Sequence, residues 1–275
     1  MPDAQASATV ADEPGAVTSA AAPAARPAPR RRLARGGWRP LIVQIVVLLA
    51  ILGAFAIWLS VAPLTATERN TLNPGTLVEL TGQHLGLTFV GAALVLVIAI
   101  PLGVLLTRRP FRGAAGPILA IANFGQAAPA VGLIVLLAAL VPDGFQASIV
   151  ALVLYAVLPV LRNTMIGIRG VDDRLVEAGR GMGMTSTMVL LRVELPLAVP
   201  VMLSGVRTAL VLLVGTAALA AFVNGGGLGL LITTGINLYL FTVLIAGALL
   251  IAVLALIVDW IGRVVEHVAR PKGLA

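Results

Sequence analysis

The sequence predicts an all-α integral membrane protein with six transmembrane helices, and three observations lead there. The chain is 59% hydrophobic and 11% charged, with a mean hydropathy of +1.02, whereas soluble domains average about 25% charged residues. Six apolar runs have the ~17–25 residues needed to cross a hydrocarbon core of about 30 Å. The arginines gather on alternate connecting segments, as the positive-inside rule requires of cytoplasmic loops. An even number of spans then places both termini in the cytoplasm.

Residues 1–39 open the chain with an Ala/Pro/Arg-rich stretch that has no apolar run. Such a segment cannot bury enough surface to offset its ordering entropy, so a disordered cytoplasmic tail is expected. Arg26, Arg30, Arg31, Arg32, Arg35 and Arg39 crowd the approach to the first apolar run. That cluster fits a topology anchor on anionic headgroups of membrane lipid; a nucleic-acid partner is not expected. The first run, near 41–62, exceeds the 7–15 residue core of a cleavable signal peptide and is read as a retained helix.

Further spans are expected near 84–106, 117–141, 147–166, 197–221 and 238–261, giving a transmembrane domain over 40–265 and a cytoplasmic tail over 266–275. Arg108, Arg109, Arg112, Arg162, Arg169, Arg174, Arg180, Arg192, Arg263, Arg270 and Lys272 then lie inside. Arg69 alone lies outside, against Glu68, Glu79 and Asp143. Pro101, Pro129 and Pro159 are expected to kink their spans without breaking them, because neighbouring helices can satisfy the freed backbone groups. His84 and His267 are far apart and expected near membrane interfaces, not as metal ligands. With no cysteine, disulfides and thiol chemistry are excluded, and no metal site is expected.

A polar, glycine-punctuated island, EAGRGMGMTSTMVLLRVELP, interrupts this apolar pattern at 177–196. Asp172 or Asp173 can cap a helix carrying Leu175, Val176, Glu177 and Ala178. Gly181 and Gly183 should interrupt it, Thr185 or Ser186 should cap a second short helix, and Pro196 should close that helix before the fifth span. Leu175, Met182 and Met184 would then be available to a partner. The segment 172–196 thus reads as a helix-turn-helix across the cytoplasmic mouth, or else as an amphipathic hairpin lying on lipid; the first makes it the candidate contact for a soluble partner.

The chain holds no P-loop of its own, so any energy it uses must arrive from another subunit or from an ion gradient. A P-loop needs a lysine for the phosphates, and the sole lysine, Lys272, sits in ARPKGLA. Ion coupling usually places carboxylates within spans, yet the central portions of all six runs hold none; Asp259, Glu79 and Glu194 lie toward ends or in the island. No cofactor is expected in the chain, and it is not expected to be an enzyme.

The spacing of Glu177, Ala178, Gly179, Gly183, Val193, Leu195 and Pro196 resembles the EAA signature of membrane subunits of ATP-binding-cassette importers, with Gly179 where the signature has its second Ala and Val193 where it has Ile. Over about 80–265 the chain is similar to the branch that handles glycine betaine, choline, carnitine or proline betaine. LYAVLPVLRNT, RGMGMT and VELPLAVPVMLSGVRTAL carry this narrower likeness, whereas NGGGLG is shared with permeases for methionine and phosphonate. At Ala127, Ala128, Pro129 and Ala130 the chain departs from the Thr-Ile-Pro-Ser pattern of that branch.

The resemblance implies a type I importer permease fold in a prokaryotic inner membrane. It also implies a dimer with itself or a sister permease, two ATPase subunits holding ATP and magnesium, and an extracytoplasmic solute-binding protein. The seven signature residues would be the ATPase-coupling contact. Asn224, Gly225, Gly226, Gly227 and Gly229 fall on the external side as a candidate gate or as a simple turn. Quaternary ammonium groups are held by aromatic rings, and Phe89, Phe124, Tyr155 and Phe222 are the candidate pore aromatics. With aromatics only 4% of the chain, a tight cage is expected in the separate binding protein. Arg162 and Arg207 are expected to meet helix ends, headgroups or neighbouring acids. A permease for another small solute such as methionine, and an ion-coupled carrier, are the alternatives.

Overall fold

Local capping chemistry sets where the helices begin in the computed structural model, which describes residues 38–269. Of the tail expected at 1–39, residues 1–37 lie outside the described residues, as do 270–275. Arg39 already belongs to helix α1 (Arg39–Val61), because the fixed φ of Pro40 suits a first turn. Helix α2 (Ala66–Thr71) is held by a capping box: Thr65 Oγ1 accepts from Glu68 N–H, and the Glu68 carboxylate accepts from Thr65 N–H at 2.9 Å. The backbone bond from Thr65, then hydroxyls of Thr242 and Thr65, hold the Glu68 carboxyl below its ordinary range.

Helix α3 (Pro74–Thr107) begins well before the expected residue 84, because Asn73 caps it and Pro74 occupies its first turn. Its opening turns carry Thr76, Glu79, Thr81 and Gln83, so a search for apolar runs finds only its later part. A 3-10 turn (Arg109–Ala114) leads to α4 (Ala115–Ala127) and α5 (Ala130–Leu140). These make up the expected third span, but Pro129 breaks it where a kink was expected: the halves meet at 99°. A proline disfavours helical backbone in the residue before it, and here Ala128 is extended, at φ −62 and ψ 145. Tyr155 Oη–H donates to the freed Ala128 carbonyl at 3.0 Å, which holds the break open. Pro101 and Pro159 do sit inside continuous helices.

Helix α6 (Gly144–Arg169) precedes two short helices, α7 (Asp173–Gly181) and α8 (Ser186–Val189). Helix α8 passes through a π turn (Leu190–Glu194) into α9 (Leu195–Ala217). Pro196 was expected to close the second island helix; instead the chain stays helical from Ser186 to Val223. A proline clashes with the carbonyl four residues back. The wider π turn, in which Leu195 N–H bonds Leu190 O, accommodates it. A 3-10 turn (Ala218–Val223), α10 (Gly229–Asn237) and α11 (Phe241–Ala269) complete the described chain. Residues 266–269, assigned to a tail above, belong to α11.

Among the described residues, five helices are long and apolar enough to span a membrane, and the bent α4–α5 pair makes six if counted as one. Helices α3, α6 and α9 form the centre, with Leu87, Val95, Leu152, Leu161 and Leu213 buried among them. Without a hydrophobic drive between helices in lipid, close backbone approach matters most. A methyl on Gly205 would lie 2.5 Å from Asn163 Cβ, and one on Gly103 would lie 2.8 Å from Thr164. Helix α1 stays at the edge, tied to α11 by Trp260 Nε1–H to Leu41 O at 2.9 Å.

Candidate functional site

Two glycine-bearing segments flank α9, and the one before it is built from local rules. Asp172 caps α7 by accepting from Arg174 N–H at 2.9 Å, while Asp173 in the first turn and Arg180 in the last match the helix dipole. The helix ends in a Schellman motif: Met184 N–H bonds Gly179 O at 3.1 Å and Gly183 N–H bonds Arg180 O at 2.9 Å. Gly183 supplies the left-handed residue this requires, at φ +83. Thr185 then caps α8, its hydroxyl accepting from Met188 N–H at 3.3 Å.

Signature residues divide by where they point. Gly179 is buried, and a methyl there would meet Val189 Cγ2 at 3.4 Å, Met184 Sδ at 3.5 Å and Val193 Cγ2 at 3.7 Å. Gly179 and Val193 therefore hold α7 against the α8–π segment. Glu177, Ala178, Gly183 and Pro196 are exposed, and Leu195 is half-buried. Leu175 and Met182 are exposed as expected. Met184 is not: it turns inward over Gly179, the apolar contact that accompanies a Schellman motif.

A tertiary ion pair anchors this hairpin. Glu194 in the π turn is buried and accepts from both terminal nitrogens of Arg108, the residue capping the end of α3. Burial makes such a pair directional, because removing either partner strands the other charge. They lie 86 positions apart, so no local pattern in the sequence pairs them. An acid at the base of the island and an arginine ending the neighbouring span were the available signals.

At the other end of α9 the chain folds onto itself. Asn224 is left-handed at φ 58, and Gly226 and Gly227 have φ +83 and +86. Gln83 Oε1 accepts from Gly227 N–H at 3.0 Å. A methyl on Gly225 would lie 2.5 Å from Ser148 Oγ, one on Gly229 would overlap the Ala218 carbonyl, and one on Gly144 would overlap the Val223 carbonyl. His84, expected near an interface, is fully buried beneath Gly227 and donates from Nε2 to Val214 O at 2.9 Å. The α9 carbonyl that accepts this bond, not the loop, holds the imidazole inside; the loop's own N–H is taken by Gln83. His267 instead packs edge-on against Trp38 at 5.0 Å.

The four aromatic candidates are dispersed. Phe124 is 77% exposed one turn before the Pro129 break, which Tyr155 braces. Phe222 is exposed on the 3-10 turn after α9, and Phe89 borders a cavity of about 130 Å³ between α9 and α11. No two of the four form a ring contact among the described residues. Arg207 does meet neighbouring acids, Glu266 at 3.5 Å and Asp259 at 3.8 Å. Arg162 donates to the Asn123 side-chain carbonyl at 3.4 Å. No cluster of three metal-ligating side chains occurs among the described residues.

Residues 99–270 match the family described as "Binding-protein-dependent transport system inner membrane component". The glycine betaine/carnitine/choline transport system permease protein OpuCB of Bacillus subtilis is 42% identical over 202 residues, covering 74% of this chain and 92% of that protein. The osmoprotectant import permease protein OsmW of Salmonella typhimurium is 40% identical, over 74% of this chain and 95% of that one. Among solved structures, the MetNI methionine ABC transporter in an inward-facing conformation matches with a TM-score of 0.62 at 27% identity, covering 71% of this chain and 96% of the matched one. The chain belongs to this family: it is a helical permease subunit of an ATP-binding-cassette importer of the bacterial inner membrane, not itself an enzyme. Such permeases work with ATP-hydrolysing subunits, a solute-binding protein and a second permease chain.

Proposed function

We propose that this permease subunit carries a small quaternary-ammonium osmoprotectant, of the glycine betaine, choline, carnitine or proline betaine class, into the cell. The α7–α8 hairpin is the contact through which the ATPase drives it. The observation that carries this reading is the continuity of the hairpin with α9: the helix runs from Ser186 to Val223 without a break. A push on α7 and α8 therefore moves a whole span, whereas a closed-off loop would absorb it.

Within that contact, Glu177, Ala178 and Gly183 face the partner, Gly179 and Val193 hold the two helices together, and Leu195 and Pro196 lead into the span. The hairpin and both termini lie in the cytoplasm. Asn224, Gly225, Gly226, Gly227 and Gly229 then form the external closure of α9 and α10. Phe89, Phe124, Tyr155 and Phe222 are the pore candidates, Phe124 and Tyr155 flanking the broken span. ATP and magnesium reside on the ATPase subunit, and the second permease chain is an identical or a sister copy. The osmoprotectant class is supported by relatives at 40–42% identity; the methionine transporter, at 27%, supports the alternative.

The test is uptake in proteoliposomes holding permease, ATPase and binding protein, with internal ATP. Accumulation of betaine, choline or carnitine, and none of methionine, is the expected outcome. Methionine uptake, or uptake without ATP under an ion gradient, would overturn the reading.

A further inference from the structure

The ATPase-facing surface does not end at the α7–α8 hairpin. The 3-10 turn Arg109–Ala114 has no buried residue, and its Phe111 is 45% exposed. It is nonetheless a fixed platform: Phe111 N–H bonds Arg108 O at 3.0 Å and Arg112 Nε–H bonds Thr107 O at 3.0 Å. Behind it stands Arg108, itself tied to Glu194 beneath the hairpin. Turn and hairpin are therefore positioned by one ion pair.

Between them lies an open cleft of about 390 Å³, with Arg109 and Arg112 on one wall and Asp173, Val176, Glu177 and Arg180 on the other. Those four α7 residues follow the i, i+3, i+4, i+7 spacing of a single helix face. The buried Gly179 lies round the flank of the helix from that face, roughly a third of a turn away. So Glu177 looks toward the 3-10 turn, not only outward along the hairpin.

The charges in this cleft do not satisfy one another. The ion pairs among the described residues join Arg108 to Glu194, Arg207 to Asp259 and Glu266, and Arg263 to Asp259. None joins Arg109, Arg112 or Arg180 to Asp173 or Glu177. With Arg108 occupied, three cations face two anions, so the cleft carries a net positive charge; the exposed Phe111 stands in the chain between two of its lining residues, Pro110 and Arg112.

We infer that the Arg109–Ala114 turn is a second docking wall for the ATPase: Arg109 and Arg112 receive an acidic side chain of the partner, and Phe111 packs as an apolar anchor at the cleft rim. This rests on the hairpin being the ATPase contact. The cleft is continuous with that contact through Glu177, and its excess charge selects an acidic, not a basic, partner segment. Rim charges of this kind act chiefly on association and its salt dependence.

The experiment compares full-length Arg109→Glu, Arg109→Glu/Arg112→Glu and Phe111→Ala with Gly183→Leu, each purified in detergent and titrated with the cognate ATPase at low and high salt. Membrane abundance and thermal stability report folding, and the single Arg109 change keeps the test sound if losing the Arg112–Thr107 bond perturbs the turn. Charge reversal should weaken ATPase binding about tenfold at low salt, and high salt should narrow the difference from wild type. Wild-type affinity in the Arg109 variants alongside lost binding in Gly183→Leu would overturn the second wall and leave the hairpin contact standing. Wild-type affinity in every variant would remove the hairpin reading as well. Unchanged ATPase binding combined with loss of activity only in vesicles containing anionic lipid would assign the cleft to a headgroup and overturn the inference.

Discussion

Gly183, in the turn between α7 and α8, and Gly229, at the start of α10, sit at opposite ends of α9 and look alike in sequence, each within a run of closely spaced glycines. Their surroundings differ completely. Around Gly183 and Gly181 nothing of the chain lies within 4 Å of an added methyl. Around Gly225, Gly226, Gly229 and Gly144 the chain itself fills that space with carbonyls and with the side chains of Gln83 and Ser148. One segment keeps its surface free for another molecule. The other spends its glycines on closing against α3 and α6, because polar backbone at the edge of a membrane bundle must find partners inside the protein. Glycine density therefore marks close approach, but not whether the approaching surface belongs to the same chain.

Substitutions can break or sharpen this contrast. The largest loss of stability is expected for Gly229→Ala, whose methyl overlaps the Ala218 carbonyl. Overpacking of this kind costs about 3 kcal/mol or more when backbone must move. Membrane abundance and the detergent melting temperature should both fall; wild-type values would mean the loop is not a packed closure.

Glu194→Gln comes next. It leaves Arg108 without its counter-charge, and since the Arg108 side chain is about one-third exposed, the loss is discounted to about 1–2 kcal/mol. Protease accessibility of the α7–α8 hairpin should rise in the same variant. An unchanged digestion pattern would show that the hairpin does not depend on the ion pair.

Gly183→Leu should cost only about 1 kcal/mol, the penalty for a left-handed non-glycine residue in otherwise open space. Its melting temperature should stay close to wild type while ATPase co-purification and uptake collapse together. A variant that melts far below wild type would place Gly183 with the packed glycines and erase the contrast.

The smallest effect is expected at Gly179. A methyl there reaches ordinary contact with Val189, Met184 and Val193, and Ala within a helix gains about 0.5–1 kcal/mol over Gly. Gly179→Ala, which restores the residue the family signature carries, should raise the melting temperature slightly and preserve transport. A fall would mean the α7–α8 contact is already tight.

The hairpin was legible because its instructions are local. Asp172, Gly183 and Thr185 each act on backbone groups within a few residues, so caps and turn could be read in order. Met184 was misassigned because its direction depends on the Schellman geometry, which pulls the residue after the left-handed glycine back over Gly179. Pro196 was misread for a related reason: a proline signals trouble for the carbonyl four residues back, but helix termination and a π turn both resolve it.

The sequence by itself determined six apolar runs, the polar island, its caps and the family signature, since span length, charge distribution and turn chemistry are properties of contiguous residues. Only the tertiary structure decided that Pro129 divides a span at 99°, that Arg108 holds Glu194, that His84 is buried beneath Gly227, and which glycines are filled by their own chain. Each of those depends on what lies across from a residue, from the 27 positions between Tyr155 and Ala128 to the 144 between Gln83 and Gly227. Local periodicity carries no information about such neighbours, because helix packing brings them together only after every span has formed.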